Sequence, residues 1–326
     1  MSESRTDYLT RTDGARLAMK RVEGEGPIIL WVGGFRSDME GTKALALEAA
    51  ARERDWAFVR YDHFAHGQSS GEWREATVGR WCDDACALVD HLVGTTGQKV
   101  VPVGSSMGGW VALNLTLARP QAIRGLVLVN PAQDFTERLM WPDLGGRRQA
   151  EILETGETLM PDEGLGPYVL TRTMFEEART RMMPEGTLPI RCPVHILQGR
   201  QDTSVPWRHQ LSLLDGLEQA DVRLDLIAQG DHRLSGPADL ARMIGAVEKL
   251  TTPLVRVDGE LVPASWDDAL DRVASGFERA RAEVAEGAHA FGMFSCSKST
   301  NEMNYAAQKF ARVVMGSNDI DSCNRT

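Results

Sequence analysis

Three residue types, far apart along the chain, could together hydrolyse an acyl bond. Ser106 lies in Gly104-Ser105-Ser106-Met107-Gly108, a G-x-S-x-G pattern set between the β-branched run at 100–103 and the apolar run at 110–115. The first run reads as a buried strand and the second as a buried helix. A strand-to-helix turn of this kind is sharp, and glycines at 104 and 108 remove β-carbons that would collide where strand and helix cross. It leaves the Ser106 hydroxyl at the tip of a sheet, over a helix N-terminus that favours developing negative charge. A phosphate-binding loop is the competing reading, but it would carry Lys and then Ser or Thr after its last glycine, where this chain has Trp110.

A serine hydroxyl attacks poorly until a base takes its proton. The base should be a histidine on a loop after a late strand. Of seven histidines, His232 fits, in Gln229-Gly230-Asp231-His232-Arg233. The third member should be a carboxylate after the preceding strand. Asp202 fits, where it could accept the far N–H of His232 and stabilise the imidazolium. Asp202 could also cap a helix starting near Pro206, and Asp134, one strand earlier, is the rival acid. Asp231 adjoins His232 too closely to reach its ring well. Two N–H donors should receive the oxyanion: Met107, directly after the nucleophile, and one from Gly33-Gly34-Phe35, with Phe35 preferred.

These groups need a frame that brings positions 106, 202 and 232 to one rim. Strands are expected at 27–32, 56–61, 100–103, 125–129, 194–198 and 222–227, with helices at 41–54, 78–93 and 237–250. Asp13-Gly14 marks an N-terminal hairpin between 8–10 and 16–20. Alternating strands and helices imply an α/β fold: a mostly parallel sheet with helices on both faces and ligands beyond the carboxyl ends of the strands. The alternation breaks at about 134–190, which reads as a helical lid with helices at 148–154 and 170–183. This stretch carries Leu139, Met140, Trp141, Met160, Tyr168, Met174, Phe175, Met182 and Met183. Most should form the lid's own core, and a few should line an adaptable acyl pocket.

Bulk properties narrow the function. The 326 residues carry a net charge of −10, which argues against nucleic acid or an anionic membrane as partner. No apolar run approaches the ~20 residues that cross a bilayer. The start, MSESRTDYL, lacks a basic and apolar leader, and the five cysteines lack zinc spacing. A cytoplasmic protein with reduced thiols and no metal is expected.

The runs around Gly33-Gly34-Phe35-Arg36-Ser37, Tyr61-Asp62-His63-Phe64-Ala65-His66-Gly67-Gln68-Ser69 and Gly104–Trp110, with Asp202 and His232, resemble the α/β-hydrolase superfamily. More narrowly, they are similar to the acyl-protein thioesterases and carboxylesterases related to abhydrolase domain-containing protein ten. The resemblance covers about residues 5–250. It implies thioester or ester hydrolysis through an acyl-enzyme, without cofactor, on a small-molecule or acylated-protein substrate. Palmitoyl-cysteine and acyl-glucuronide esters are associated with that group. Peptide or carbon–carbon bond cleavage, and a non-catalytic binding scaffold, are the alternatives.

Residues 251–326 are a different matter. From Val255-Arg256-Val257-Asp258-Gly259 to Asp321-Ser322-Cys323-Asn324-Arg325-Thr326 they resemble an early segment of the molybdopterin-dependent formate dehydrogenase catalytic subunit. Cys296 and Cys323 do not match that family's metal-ligand position. A further alternative makes the whole chain a molybdopterin redox subunit, but a pterin needs several domains around it, and the missing ligand and domains weigh against that reading. The expectation is therefore a hydrolase domain at 1–250 and an inactive remnant at 251–326, from gene fusion or a misjoined reading frame. The remnant should form a β-hairpin and helices at 266–286 and 300–315.

Overall fold

The computed structural model describes residues 5–161, 166–251, 254–257, 259–264, 266–282, 293–295, 309 and 320–322. Residues Met1–Thr251 and Thr252–Thr326 form two separate compact units.

The first unit is built on an eight-stranded sheet. In chain order its strands are β1 (Asp7–Thr10), β2 (Arg16–Val22), β3 (Glu25–Val32), β4 (Trp56–Tyr61), β5 (Val100–Ser105), β6 (Leu126–Val129), β9 (Val194–Gly199) and β10 (Val222–Ile227). In space they lie β1-β2-β4-β3-β5-β6-β9-β10. The β1–β2 and β2–β4 pairs are antiparallel and every other pair is parallel. The strands β7 (Glu157–Met160) and β8 (Tyr168–Thr171) form a separate antiparallel hairpin.

Alternation along the central strands explains the layers. In β3, Ile28, Leu30 and Val32 pack with the helices α2 (Val78–Thr96) and α3 (Met107–Ala118). Ile29 and Trp31 point the other way, to α1 (Thr42–Arg54) and the helix Pro237–Thr251. A period of two thus feeds both faces of the sheet, and β5 is buried along its whole length. The helix ends carry their own signals. The Thr77 hydroxyl accepts from Arg80 N at 3.2 Å at the start of α2, and Gly97 closes α2 with a φ of 72°.

The insertion between β6 and β9 is less helical than its sequence suggests. A helix at Gly145–Thr155 and another at Arg172–Ala178 flank the β7–β8 hairpin. Leu170, expected to be helical, lies in β8, and the Thr171 side chain starts the second helix by accepting from Met174 N at 3.2 Å. The run Tyr168-Val169-Leu170-Thr171 is aromatic and β-branched, so it pairs as a strand once a partner is near. Trp141, Leu144, Ile152, Leu170, Met174 and Phe175 form a small core of their own.

The strand-to-helix turn after β5 has little spare room. Ser106 takes φ 54° and ψ −120°, a conformation that costs about 1–3 kcal/mol and persists only where its surroundings fix it. A β-carbon on Gly108 would lie 2.1 Å from Val32 O and 2.4 Å from Gly33 O. Both obstacles are backbone of a central strand and the loop beyond it, so neither yields cheaply. Gly108→Ala is expected to destabilise the unit by about 3 kcal/mol or more, read as a lowered midpoint in urea unfolding; an unchanged midpoint would contradict this packing.

In the second unit, Leu254–Val257 pairs antiparallel with Glu260–Pro263, a helix spans Trp266–Ala282, and Met293–Ser295 pairs parallel with Ile320–Ser322. The helix expected at 300–315 falls outside the described residues. Among the described residues, no helix is long and apolar enough to cross a membrane.

Candidate active site

Ser106, Asp202 and His232 stand beyond the carboxyl ends of β5, β9 and β10, as parallel strands require of a site assembled from their loops. Ser106 Oγ is 3.1 Å from His232 Nε2, and His232 Nδ1 is 2.7 Å from Asp202 Oδ2. The second carboxylate oxygen of Asp202 accepts from Ser204 N at 2.9 Å and Val205 N at 2.8 Å. Asp202 is thus almost fully buried with both oxygens engaged, one by its own loop and one by the imidazole.

The rival acids are occupied elsewhere. Asp134 accepts from Arg138 Nε at 3.0 Å and from Met183 N at 2.8 Å, inside the insertion. Asp231 Oδ1 accepts from Arg233 N and Leu234 N, closing the loop that carries His232. Among the other histidines, His195 pairs with Asp225 at 2.9 Å and His209 donates to Gln133 O at 2.8 Å. His289 lies outside the described residues.

The turn is tied into the sheet at both ends. Ser106 N donates to Val129 O at 2.9 Å, and Ser106 O accepts from Gly109 N and Ala132 N. Met107 opens α3, where the first N–H groups have no intrahelical acceptor. Facing it, the Gly33–Gly34–Phe35 loop packs on the turn: a β-carbon on Gly34 would lie 3.3 Å from Ser105 O and 3.5 Å from Ser106 Cβ. Phe35 and Met107 line one cavity of about 410 Å³ together with Ser106 and His232. Its apolar wall continues through Leu139, Met140 and Met160 of the insertion.

Two histidines of the Tyr61–Ser69 run grip this loop. His63 Nε2 donates to Gly33 O at 3.1 Å, while its Nδ1 accepts from the Tyr61 hydroxyl at 3.3 Å. His66 Nε2 accepts from Arg36 N at 3.1 Å, which leaves the proton on Nδ1 for Phe64 O at 3.0 Å. Burial holds His63 down to about 3 and lowers His66 as well, so both rings stay neutral when the surrounding solution is neutral. Asp62 completes the clamp, accepting from Met39 N and Gln68 N, each at 2.7 Å. The polar run was visible in the sequence. Its upstream partners, 23 to 30 residues away, were not.

Cys82, Cys86 and Cys192 are free thiols. Among the described residues, no group of three or more His, Cys, Asp or Glu side chains could hold a metal.

Comparison with known proteins agrees with this architecture. Residues 27–177 match the family model for serine aminopeptidase, S33, and residues 249–326 match that for molybdopterin oxidoreductase. The mouse mitochondrial palmitoyl-protein thioesterase ABHD10 is 32% identical over 252 residues, covering 77% of this chain and 84% of the relative. A solved protein of Agrobacterium vitis S4 is 38% identical with a TM-score of 0.71, covering 76% of this chain and 99% of that one. The C-terminal segment is 43% identical over 79 residues to the alpha subunit of F420-dependent formate dehydrogenase 2 of Methanococcus maripaludis, and spans 11% of that subunit.

Proposed function

The chain belongs to the α/β-hydrolase family, and from that premise we propose that it is a serine hydrolase cleaving thioesters or carboxylic esters through an acyl-enzyme. The observation that carries this reading is the unbroken relay Ser106 Oγ–His232 Nε2 and His232 Nδ1–Asp202 Oδ2, at 3.1 and 2.7 Å. Ser106 Oγ attacks the acyl carbon while His232 Nε2 takes its proton. Asp202 keeps the other ring nitrogen protonated and stabilises the imidazolium. The N–H groups of Met107 and Phe35, with the N-terminal end of α3 behind the first, receive the oxyanion. His232 then returns the proton to the departing thiol or alcohol. In the second half, water gives a proton to the same nitrogen as it attacks the acyl carbon, and the Ser106–acyl bond breaks as His232 returns that proton to Ser106 Oγ, releasing the acid.

The apolar cavity fits an uncharged acyl group, with Leu139, Met140 and Met160 as its adaptable wall and the insertion acting as a lid. The mouse relative is named for palmitoyl-protein substrates, so a palmitoyl thioester is a natural member of the test panel. A cytoplasmic location forms part of this reading, supported by the free thiols, although that relative is mitochondrial.

The test is labelling by a fluorophosphonate, together with hydrolysis of acyl thioesters, esters and an aminoacyl amide of graded length. Labelling with ester or thioester turnover is expected. Folded protein that neither labels nor turns over any ester would overturn the proposal, and faster cleavage of the amide would replace it with a peptidase. Met160→Trp, filling part of the cavity, should cut kcat/KM for the longest chains by about tenfold or more relative to acetyl substrates. Equal losses at every length would remove Met160 from the acyl wall.

A further inference from the structure

Asn130 follows β6 at the carboxyl edge of the sheet and is fully buried. Its main-chain N–H donates to Leu197 O at 2.8 Å, and its φ is 45°, a region asparagine tolerates better than most residues. Its side chain makes three hydrogen bonds to two other loops. The Oδ1 accepts from Gly199 N at 2.7 Å, and the Nδ2 donates to Asp231 O and His232 O, both at 2.9 Å.

Those partners matter because of where they sit. Gly199 ends β9, three residues before Asp202, and Asp231 and His232 are the loop that carries the imidazole. One amide therefore fixes the take-off point of the acid and the two carbonyls on either side of the base's own N–H. Two converging carbonyls need two donors, and the facing backbone N–H needs an acceptor. A primary amide supplies this set, while a carboxylate, a hydroxyl or an imidazole does not. On the other side of the loop, Lys43 Nζ donates to Arg233 O, so the His232 segment is held from within by Asn130 and from outside by Lys43.

We propose that Asn130 is a positioning residue for the hydrolytic reaction: it holds the Asp202 and His232 loops in register with Ser106 without touching substrate. This rests on the serine-hydrolase reading above. The three side chains that act on the acyl bond come from three loops, and the relay tolerates little drift in the imidazole. A displacement of about 1 Å from the reactive geometry can cost about 10²-fold in rate.

Asn130→Asp separates this role from a merely structural one. Aspartate suits the same backbone conformation and keeps an acceptor for Gly199 N, but sets a carboxylate against two carbonyls. Asn130→Gly, which also suits the backbone, removes the whole clamp. Each variant is compared with wild type and with Ser106→Ala for phosphonate labelling rate per folded molecule, kcat, KM and thermal midpoint. Asn130→Asp should lose about 10²-fold in kcat and labelling rate with KM within about twofold, and Asn130→Gly at least about tenfold. Rescue of the labelling rate by aspartate would show that only the Gly199 contact matters and would overturn the proposal. Failure of both variants to fold would also overturn it, by assigning the amide to the fold. If Ser106→Ala labels as wild type does, the serine-hydrolase reading itself is what has failed. If it does not label while Asn130→Asp does so at the wild-type rate, that reading stands and only the positioning role is lost.

Discussion

Ser106→Ala should reduce turnover by about 10⁶-fold and abolish fluorophosphonate labelling, with the fold unchanged. The size of the loss follows from the role. Without the hydroxyl no acyl-enzyme forms, and the imidazole at 3.1 Å has only solvent to activate. The rest of the machinery survives: the Met107 and Phe35 N–H groups and the 410 Å³ cavity are unaltered, so a residual rate above the uncatalysed reaction is expected. Stability should move by no more than about 0.5 kcal/mol, because the hydroxyl is partly solvated and the turn is held by backbone bonds to Val129 O, Gly109 N and Ala132 N. Single-turnover kinetics with an activated ester, alongside circular dichroism, make the measurement. A variant that still labels would put the nucleophile elsewhere.

How much of this could be read from residues alone depends on the range of the interactions. The apolar run at 100–103 announces a strand because burial on both faces requires apolar side chains without interruption, whereas 222–227, at the edge of the sheet, carries Arg223 and Asp225 between its apolar residues and is only partly buried. The glycines at 104 and 108 announce a crossing because only a missing β-carbon allows it, and the distances to Gly108 O and Val32 O show how tight the crossing is. Position after successive strands pointed to Ser106, Asp202 and His232, with Asp134 as a rival acid, and the structure brings His232 within hydrogen-bonding reach of both Ser106 and Asp202. Strand order was not legible: β3 lies between β4 and β5, a placement set by crossovers rather than by any local pattern. The β7–β8 hairpin was missed because Tyr168–Thr171 has helix-compatible spacing and becomes a strand only through pairing with Glu157–Met160.

The residues that hold the site were the hardest to see. His63, His66 and Asn130 are ordinary polar residues at strand ends, and nothing in their neighbours names the loop they grip. Asn130 acts on residues 69 to 102 positions away. His66 acts on Arg36 through a lone pair of its neutral ring, the form that burial favours. Such roles come from three-dimensional closure: a loop carrying an oxyanion donor or a base has few bonds of its own, so side chains from neighbouring strands must immobilise it.

Asp202→Asn should lower kcat by about 10⁴-fold while leaving the fold and KM nearly unchanged. The amide oxygen can still accept from Ser204 N and Val205 N, so the loop that Asp202 organises stays closed. The amide nitrogen then faces His232 Nδ1 at the position now held by a carboxylate oxygen at 2.7 Å. Two donors cannot share that contact, so the imidazole proton moves to Nε2, the nitrogen that must be empty to take the Ser106 proton. Ring nitrogen chemical shifts of His232 should report this exchange of tautomers directly. Asp202→Ala makes the contrast: it removes the acceptor from both backbone N–H groups and should lower the unfolding midpoint as well as the rate. If the asparagine variant kept more than about a tenth of wild-type kcat, the carboxylate would be a loop cap and nothing more. Asp134 could not then take its place, because both of its oxygens are committed to Arg138 and Met183 within the insertion.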